Sequence, residues 1–294
     1  MSCRYGIIGL GGGSPIDLAK GVALAATHEG PLVHYAAIYG GASRITEKVA
    51  PVIAIPTTAG TGSEVGRGTL LNLTNGSKLA LISPYLIPKR AICDPELTLG
   101  LPPLLTAATG IDALTHCIKT FLSPLVNPPA EAIALDGANR AWHFIQRAVT
   151  NGADREARWG MMMAALEGAL AFQKGLGAVH SLSHAAGALR SPTLHHGMLN
   201  GVFLPHVLRF NAAHVGDKYV KLRNLFLLDK NADVAEAVVC LLKNLGLPLT
   251  LSEMGFRQEH IAATVTRAMA DHSNATTPRR PSAEDFEKLL HAAM

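Results

Sequence analysis

The first hundred residues alternate between short apolar runs and glycine-rich turns. Runs of this length, bounded by turn residues, are typical of buried strands, and the apolar spacing of residues 16–26 predicts a helix directly after the first turn. The predicted strands are residues 6–10, 51–56, 69–73, 79–83 and 91–93. We therefore predict an α/β unit in this part of the chain.

Beyond about residue 100 the pattern changes to long segments with apolar spacing of three and four, which predicts helices. Asp154 and Ser282 fit helix N-caps, and Ser282 with Asp285 has capping-box spacing, so the last helix is predicted at residues 283–291. The chain is therefore predicted to comprise a partial α/β domain, residues 1–100, and an all-α domain, residues 101–294. Ligands commonly bind in the cleft between two such domains.

Composition excludes several classes of protein. With 48% hydrophobic and 16% charged residues the chain has ample material for a buried core, so we do not expect disorder. The net charge is +4, but the basic residues are scattered without a stripe, which argues against nucleic acid or a membrane surface as partner. Four widely spaced cysteines give neither a metal knuckle nor a disulfide framework, and favour a cytoplasmic location.

Two loops are candidates for binding phosphate. Gly11-Gly12-Gly13-Ser14 follows the first predicted strand and leads into a helix, where glycines permit close backbone approach and free N–H groups attract phosphate oxygens. The second candidate, residues 56–64, carries four hydroxyls and two glycines after another strand. Each loop alone could be an ordinary turn, and neither spells a GxGxxG or P-loop motif. Together, at two strand ends, they favour a nucleotide.

Histidines are concentrated in one region of the sequence. Six of the 13 lie between residues 180 and 214, and His180 and His184 are four apart in a helical pattern, as are Asp112 and His116. A carboxylate with several imidazoles suits a divalent ion such as Fe²⁺ or Zn²⁺. A single pair of potential ligands four residues apart more often arises by chance, on the surface or in the core, than as part of a metal site. Two pairs followed by His195-His196-Gly197 favour a metal site.

The motifs together resemble the iron-containing alcohol dehydrogenases. Six segments occur in the order and approximate spacing of that family: GGGSPIDLAK, PTTAGTGSE, DPELTLGLPP, ATGIDALTH, VHSLSHAAGAL and HHGMLNGVFLPHVLRFN. The resemblance implies a nicotinamide-binding α/β domain like that of dehydroquinate synthase, a helical domain, and a metal in the cleft. It implies an NAD- or NADP-dependent alcohol dehydrogenase, acting on a small alcohol or aldehyde, and a homodimer.

Carried over position by position, the resemblance implies a set of site residues. The metal ligands would be Asp112, His116, His180 and His196, the last chosen over its neighbour because it directly precedes Gly197. His184 would sit beside the metal and relay a proton. The residues implied for cofactor binding are Gly12, Gly13, Ser14, Thr57, Thr58, Thr61, Ser63, Lys78 and Leu97.

The start of the chain departs from the family pattern. Only residues 1–8 precede the first glycine-rich turn, whereas family members carry on the order of 60 to 90 residues there, if two or three strand–helix units are present. We therefore expect part of the cofactor domain to be absent and the chain as written to be a poor dehydrogenase. Two alternatives stay open: a metal-binding homologue without turnover, and a related maleylacetate reductase or glycerol dehydrogenase.

Overall fold

The computed structural model describes residues 6–72, 78–189 and 191–294, and within these ranges the side chains of Asn72 and Lys78 are left undescribed. Three strands form a parallel sheet in the order β1 (Ile7–Gly11), β2 (Val52–Pro56) and β5 (Arg90–Ala91). The strands β3 (Gly68–Asn72) and β4 (Lys78–Ile82) pair antiparallel in a second sheet. All five predicted strands are present, with ends shifted by one or two residues. Their division into two sheets was not predicted.

Helix α1 (Gly13–Ala25) follows β1 and is fixed by a buried lysine. Lys20 is fully buried, and its Nζ donates to Ser63 Oγ and to the carbonyl oxygens of Gly66 and Gly68, each at 2.9 Å. Asp17 accepts a hydrogen bond of 2.5 Å from the Ser63 hydroxyl. Because a buried ammonium is costly unless its protons are bonded, this network fixes α1 against the chain that runs into β3.

The rest of the chain is helical, as predicted. The helices are α2 (Pro103–Leu122), α3 (Pro128–Thr150), α4 (Arg155–Ala171), α5 (Gly177–Ala186), α6 (His196–Asn211), α7 (Lys218–Leu225), α8 (Val234–Asn244), α9 (Ile261–Ala270) and α10 (Ala283–Ala292). The predicted caps are confirmed: Asp154 accepts from the Ala157 N–H, and Ser282 with Asp285 forms a capping box at α10. The domain boundary at residue 100 stays a prediction.

Helix α2 lies at the centre of the helical part. Most of its residues are buried, including Asp112, His116 and Lys119, so it contacts neighbours on every side. It packs against α3, α4 and α6. Within the described ranges, no helix has the length and apolar character needed to cross a membrane.

The loop after β2 packs directly on the helical part. A Cβ at Gly60 would stand 2.9 Å from the Thr109 carbonyl oxygen of α2. Gly62 has a φ of +63°, and a Cβ there would lie 1.9 Å from the Ala169 Cβ of α4. A side chain at either position would separate the surfaces, so the two glycines allow this loop to lie against both helices.

The start of α6 makes a similarly close contact with α2. A Cβ at Gly197 would lie 2.1 Å from the carbonyl oxygen of Ala108 and 3.5 Å from the Cβ of Asp112. The backbones of the two helices therefore touch at this point. Since His196 precedes Gly197, the contact also determines how near the first residue of α6 lies to Asp112.

We predict that Gly197→Ala destabilises the protein. Alanine is the better helix former by about 1 kcal/mol in an exposed helix. Here its methyl group must push backbone away, at a cost of about 1–3 kcal/mol in the free energy of unfolding. The control is Gly100→Ala, because a Cβ at Gly100 meets nothing within 4 Å. Urea denaturation of both variants checks this, and an equal midpoint for the two would contradict the close contact.

Candidate functional site

Four potential metal ligands meet where α2, α5 and α6 converge. Asp112 and His116 lie one turn apart on α2, His180 is on α5, and His196 is the first residue of α6. Asp112 Oδ1 is 3.7 Å from His116 Nε2, 3.9 Å from His180 Nε2 and 3.8 Å from His196 Nε2. The Nε2 atoms of His116 and His180 are 2.9 Å apart. The structure therefore brings together the four residues implied by the sequence.

These distances fit a four-coordinate ion. Ligand atoms about 2.1 Å from a metal stand about 3.4 Å apart in a tetrahedron, and imidazole with carboxylate suits Fe²⁺ or Zn²⁺. Asp112, His116 and His180 are buried, with ligand atoms within 4.8 Å of one another. The His196 side chain is 35% exposed, so the cluster opens to solvent on that side. By contrast, His195 is exposed at the N-cap of α6.

The electrostatics of the cluster suit a cation. Burial opposes ionisation of Asp112, but the nearby basic groups His116, His196 and Lys119 and a hydrogen bond from Asn200 outweigh it and lower its pKa. Burial lowers the pKa of His116, and lowers that of His180 well below its usual range. The site therefore offers an ionised carboxylate at Asp112 and neutral imidazoles at His116 and His180, the forms in which these groups bind a metal.

A buried asparagine holds the carboxylate of Asp112. Asn200, fully buried on α6, donates from Nδ2 to Asp112 Oδ1 at 2.6 Å, and the same nitrogen lies 3.2 Å from His196 Nε2. The Ser183 hydroxyl donates to Asn200 Oδ1 at 2.6 Å. Because the amide is held by α5 and itself holds a residue of α2, Asn200 fixes the direction of the carboxylate from outside the ligand set.

A buried lysine lies behind His180. Lys119 Nζ contacts His180 Nδ1, and burial lowers the pKa of Lys119 well below its usual range. The nitrogen of a neutral amine can accept a hydrogen bond from the N–H group at His180 Nδ1, which carries the ring proton when Nε2 is a ligand. A charged ammonium would instead repel a cation at the cluster.

His184 lies beside the cluster and has a different partner. Its ring stacks on His196 with 5.4 Å between centroids, and it stands edge-on to His180 at 5.5 Å. Its Nδ1 is 2.9 Å from Asp271 Oδ2. His180 and His184 thus share a helix face, but only His180 lies within reach of the Asp112 carboxylate.

The two glycine- and hydroxyl-rich loops lie against each other. A Cβ at Gly12 would stand 3.2 Å from Thr58 Oγ1, and one at Gly13 would stand 2.8 Å from Thr61 Oγ1. Gly12 is the N-cap of α1 and has no side chain to bond the first N–H groups of the helix. An anion there meets backbone donors and threonine hydroxyls together.

The other residues implied for the cofactor are more scattered. Thr57 donates its N–H to the Gly11 carbonyl at 2.9 Å and so joins the two loops. Ser14 lies in the first turn of α1, and the Ser63 hydroxyl is occupied by Asp17 and Lys20. Leu97 is 43% exposed in a short 3₁₀-helix, Pro95–Thr98, and the side chain of Lys78 lies outside the described residues. The roles of all these residues stay predictions.

Sequence reasoning missed three residues around the cluster. Asn200 lies four residues after His196, and Lys119 three after His116, so helical spacing could have placed both near the ligands. No sequence signal connects Asp271 with His184, because the pair is 87 residues apart and depends on how the chain after α9 returns to α5.

Comparison with known proteins gives matches along nearly the whole chain. The family model described as "Iron-containing alcohol dehydrogenase" matches residues 3–95. The model described as "Fe-containing alcohol dehydrogenase family, C-terminal" matches residues 106–294.

Individual relatives agree with these models. The chain is 53% identical over 296 residues to the 4-hydroxybutyrate dehydrogenase of Cupriavidus necator, covering 98% of this chain and 78% of the relative. A crystal structure of 1,3-propanediol oxidoreductase matches with a TM-score of 0.91 at 33% identity, covering 98% and 76% of the two chains. The sulfoacetaldehyde reductase of Bifidobacterium kashiwanohense, in complex with NAD⁺, matches with a TM-score of 0.89 at 28% identity, covering 99% and 76%.

We predict that Asn200→Leu weakens binding of a divalent ion by about 10- to 100-fold, because the Asp112 carboxylate loses the group that orients it. The matched control is Asn211→Leu, which removes another buried amide from the same helix; Asn211 Oδ1 accepts from the Arg279 N–H at 3.3 Å. Chelator competition with Zn²⁺ measures both affinities. If the two variants lose affinity equally, the loss reflects general disturbance of α6 and our interpretation is wrong.

Proposed function

The chain belongs to the iron-containing alcohol dehydrogenase family, and we propose that it interconverts a short primary alcohol and its aldehyde with a divalent metal and a nicotinamide cofactor. The chain is an oxidoreductase of this family, since its relatives are alcohol and hydroxy-acid dehydrogenases. The observation that carries the proposal is the cluster of one carboxylate and three imidazoles around Asp112.

Two of the relatives point to an anionic substrate. The relative that is 53% identical to this chain is a 4-hydroxybutyrate dehydrogenase, and a structural relative is a sulfoacetaldehyde reductase. Both names specify a two- to four-carbon compound with an acidic group at the far end from the reacting carbon. We therefore propose 4-hydroxybutyrate, or a short ω-hydroxy acid like it, as the substrate. An uncharged diol such as 1,3-propanediol is the second candidate, because a structural relative is an oxidoreductase for it.

The residues of the cluster would hold the ion by Asp112 Oδ1 and by the Nε2 atoms of His116, His180 and His196. The ion, when bound, supplies a Lewis acid that lowers the pKa of an alcohol. Asn200 keeps the carboxylate aimed at the cluster. His184 lies beside the cluster and its side chain is 23% exposed, so it is the group proposed to take up the substrate proton.

The two loops would hold the cofactor. Backbone N–H groups at the start of α1 and the hydroxyls of Thr58 and Thr61 form the donor surface, and the nicotinamide, when bound, supplies the hydride acceptor. Gly60, in the second of these loops, packs on Thr109, which lies less than one helical turn before Asp112. The loop and the metal cluster are therefore positioned by the same helix. The choice between NAD and NADP, the homodimer and the cytoplasmic location stay predictions.

We predict that the Fe²⁺- or Zn²⁺-loaded protein reduces NAD⁺ or NADP⁺ with 4-hydroxybutyrate at a higher kcat/KM than with 1,3-propanediol or 1-butanol. His180→Ala is expected to lose both the bound metal and the activity, because it removes a buried ligand. Metal analysis and absorbance of the reduced cofactor are the measurements, made on the same preparations.

The outcomes separate the alternatives. Bound metal without turnover on any alcohol or aldehyde would support the metal-binding homologue. Equal rates for 4-hydroxybutyrate and 1-butanol would remove the argument for an anionic substrate. An unchanged metal content in His180→Ala would remove the ligand assignment itself.

We also predict that Gly13→Val abolishes measurable binding of the nicotinamide cofactor and leaves metal content unchanged. A valine side chain there would occupy the space of Thr61 and push apart the two loops. Calorimetric titration of the metal-loaded protein with NAD⁺ and NADP⁺ checks this. The control is Gly100→Val, where the added side chain meets open space; a cofactor affinity in Gly13→Val equal to that of the control would contradict the role of the first loop.

A further inference from the structure

A carboxylate from the far end of the chain is hydrogen-bonded to His184. Asp271 Oδ2 lies 2.9 Å from His184 Nδ1. The other oxygen, Oδ1, accepts from the Ser273 N–H at 2.8 Å and from the Ser181 hydroxyl at 3.5 Å. Asp271 caps the short 3₁₀-helix His272–Thr276, so its carboxylate is held by the backbone and by α5 at once. It is therefore a fixed partner for the imidazole.

The chemistry of the pair determines where the imidazole proton lies. Burial opposes ionisation of Asp271, but the hydrogen bond and charge of His184 and the bonds from Ser273 outweigh it and lower its pKa to about 2. An ionised carboxylate can only accept hydrogen bonds. The proton between the two groups must therefore sit on His184 Nδ1. In the neutral ring this leaves Nε2 unprotonated, with a lone pair that can accept a proton.

The position of the His184 ring suits this tautomer for accepting a proton beside the ligand cluster. The side chain of His184 is 23% exposed. Its ring centroid lies 5.4 Å from the ring centroid of His196 and 5.5 Å from that of His180. It is thus next to the ligand cluster, partly open to solvent, and held through Nδ1 by a residue that takes no part in the cluster. A general base must lie within hydrogen-bond reach of the proton that it takes, and a ring held beside the cluster and open to solvent is suitably placed for an alcohol there.

We propose that Asp271 is a positioning residue, which orients His184 and holds it as the Nδ1–H tautomer so that Nε2 accepts the substrate proton. The inference rests on the proposed function for its kinetic part. In the direction of alcohol oxidation, the substrate O–H bond breaks and an N–H bond forms at Nε2, and the resulting imidazolium is stabilised by the Asp271 carboxylate. A bound nicotinamide would supply the acceptor for the carbon-bound hydride and its electron pair, and the proton would pass from His184 to solvent.

Nuclear magnetic resonance tests the tautomer without requiring turnover. In the Zn²⁺-loaded protein with ¹⁵N-labelled histidine, the resonances of His184 are identified by their loss in His184→Gln. We expect a protonated Nδ1 and an unprotonated Nε2 in the parent protein. In Asp271→Asn we expect a mixture of tautomers, because an amide can donate as well as accept. A parent ring protonated at Nε2, or an unchanged tautomer in Asp271→Asn, would overturn the proposal.

Kinetics test the role of the pair. General-base catalysis contributes roughly 10²- to 10⁴-fold, so we expect Asp271→Asn to lower kcat by about 100-fold while KM and metal content stay near the parent values. The matched control is Asp233→Asn, because Asp233 caps α8 through the same kind of bond, to the Ala235 N–H at 2.8 Å, and lies outside the site. Asp233→Asn is expected to retain the parent kcat.

The two measurements separate the possible failures. If Asp271→Asn retains the parent kcat, or loses metal in proportion to its activity, Asp271 is not a positioning residue for catalysis and the proposal is wrong. If the parent protein itself shows no turnover, the proposed function fails. In that case the resonance experiment still decides whether Asp271 sets the tautomer of His184.

Discussion

The carboxylate of Asp112 places the strongest single constraint on the helical part of the molecule. It is 3% exposed within a helix that is buried on nearly every side, and an isolated ionised carboxylate in such a place costs several kcal/mol. Polar groups from three helices surround it: His116 on α2, His180 on α5, and Asn200 with His196 on α6, of which Asn200 donates a hydrogen bond to Oδ1. The same buried charge thus links the three helices and gives the candidate metal cluster its carboxylate.

The sequence predicted much of this architecture because the informative signals were local. Strand positions followed from short apolar runs, and the caps Asp154 and Ser282 follow from side chains that bond N–H groups three residues away. Spacing of four correctly placed Asp112 and His116 on one helix face. The same spacing was ambiguous for His180 and His184, because a shared face does not say which ring reaches a particular neighbour. That distinction depends on α2 and on Asp271, both far away along the chain.

Contacts between distant segments could not be read from the sequence. The Lys20 network with Ser63, Gly66 and Gly68 joins α1 to the chain that enters β3, and no periodicity in the sequence indicates it. The amide of Asn200 lies between Ser183 and Asp112, which are 17 and 88 residues away along the chain. In each case a buried polar group is hydrogen-bonded to residues that are distant along the chain. Such partners come together only through tertiary packing, so the local sequence does not specify them.

Helix α2 connects the candidate cofactor loops to the candidate metal cluster. Thr109 carries the contact with Gly60 of the second loop, and Asp112 follows three residues later, about 4.5 Å further along the axis at 1.5 Å per residue. Gly197 brings α6 against the same stretch of α2, at Ala108. Two glycines from different parts of the chain thus pack against consecutive residues of one rigid helix. A side chain at either position would move one half of the candidate site relative to the other, so the spacing between the second loop and the cluster around Asp112 is determined by close backbone contact rather than by flexible side chains.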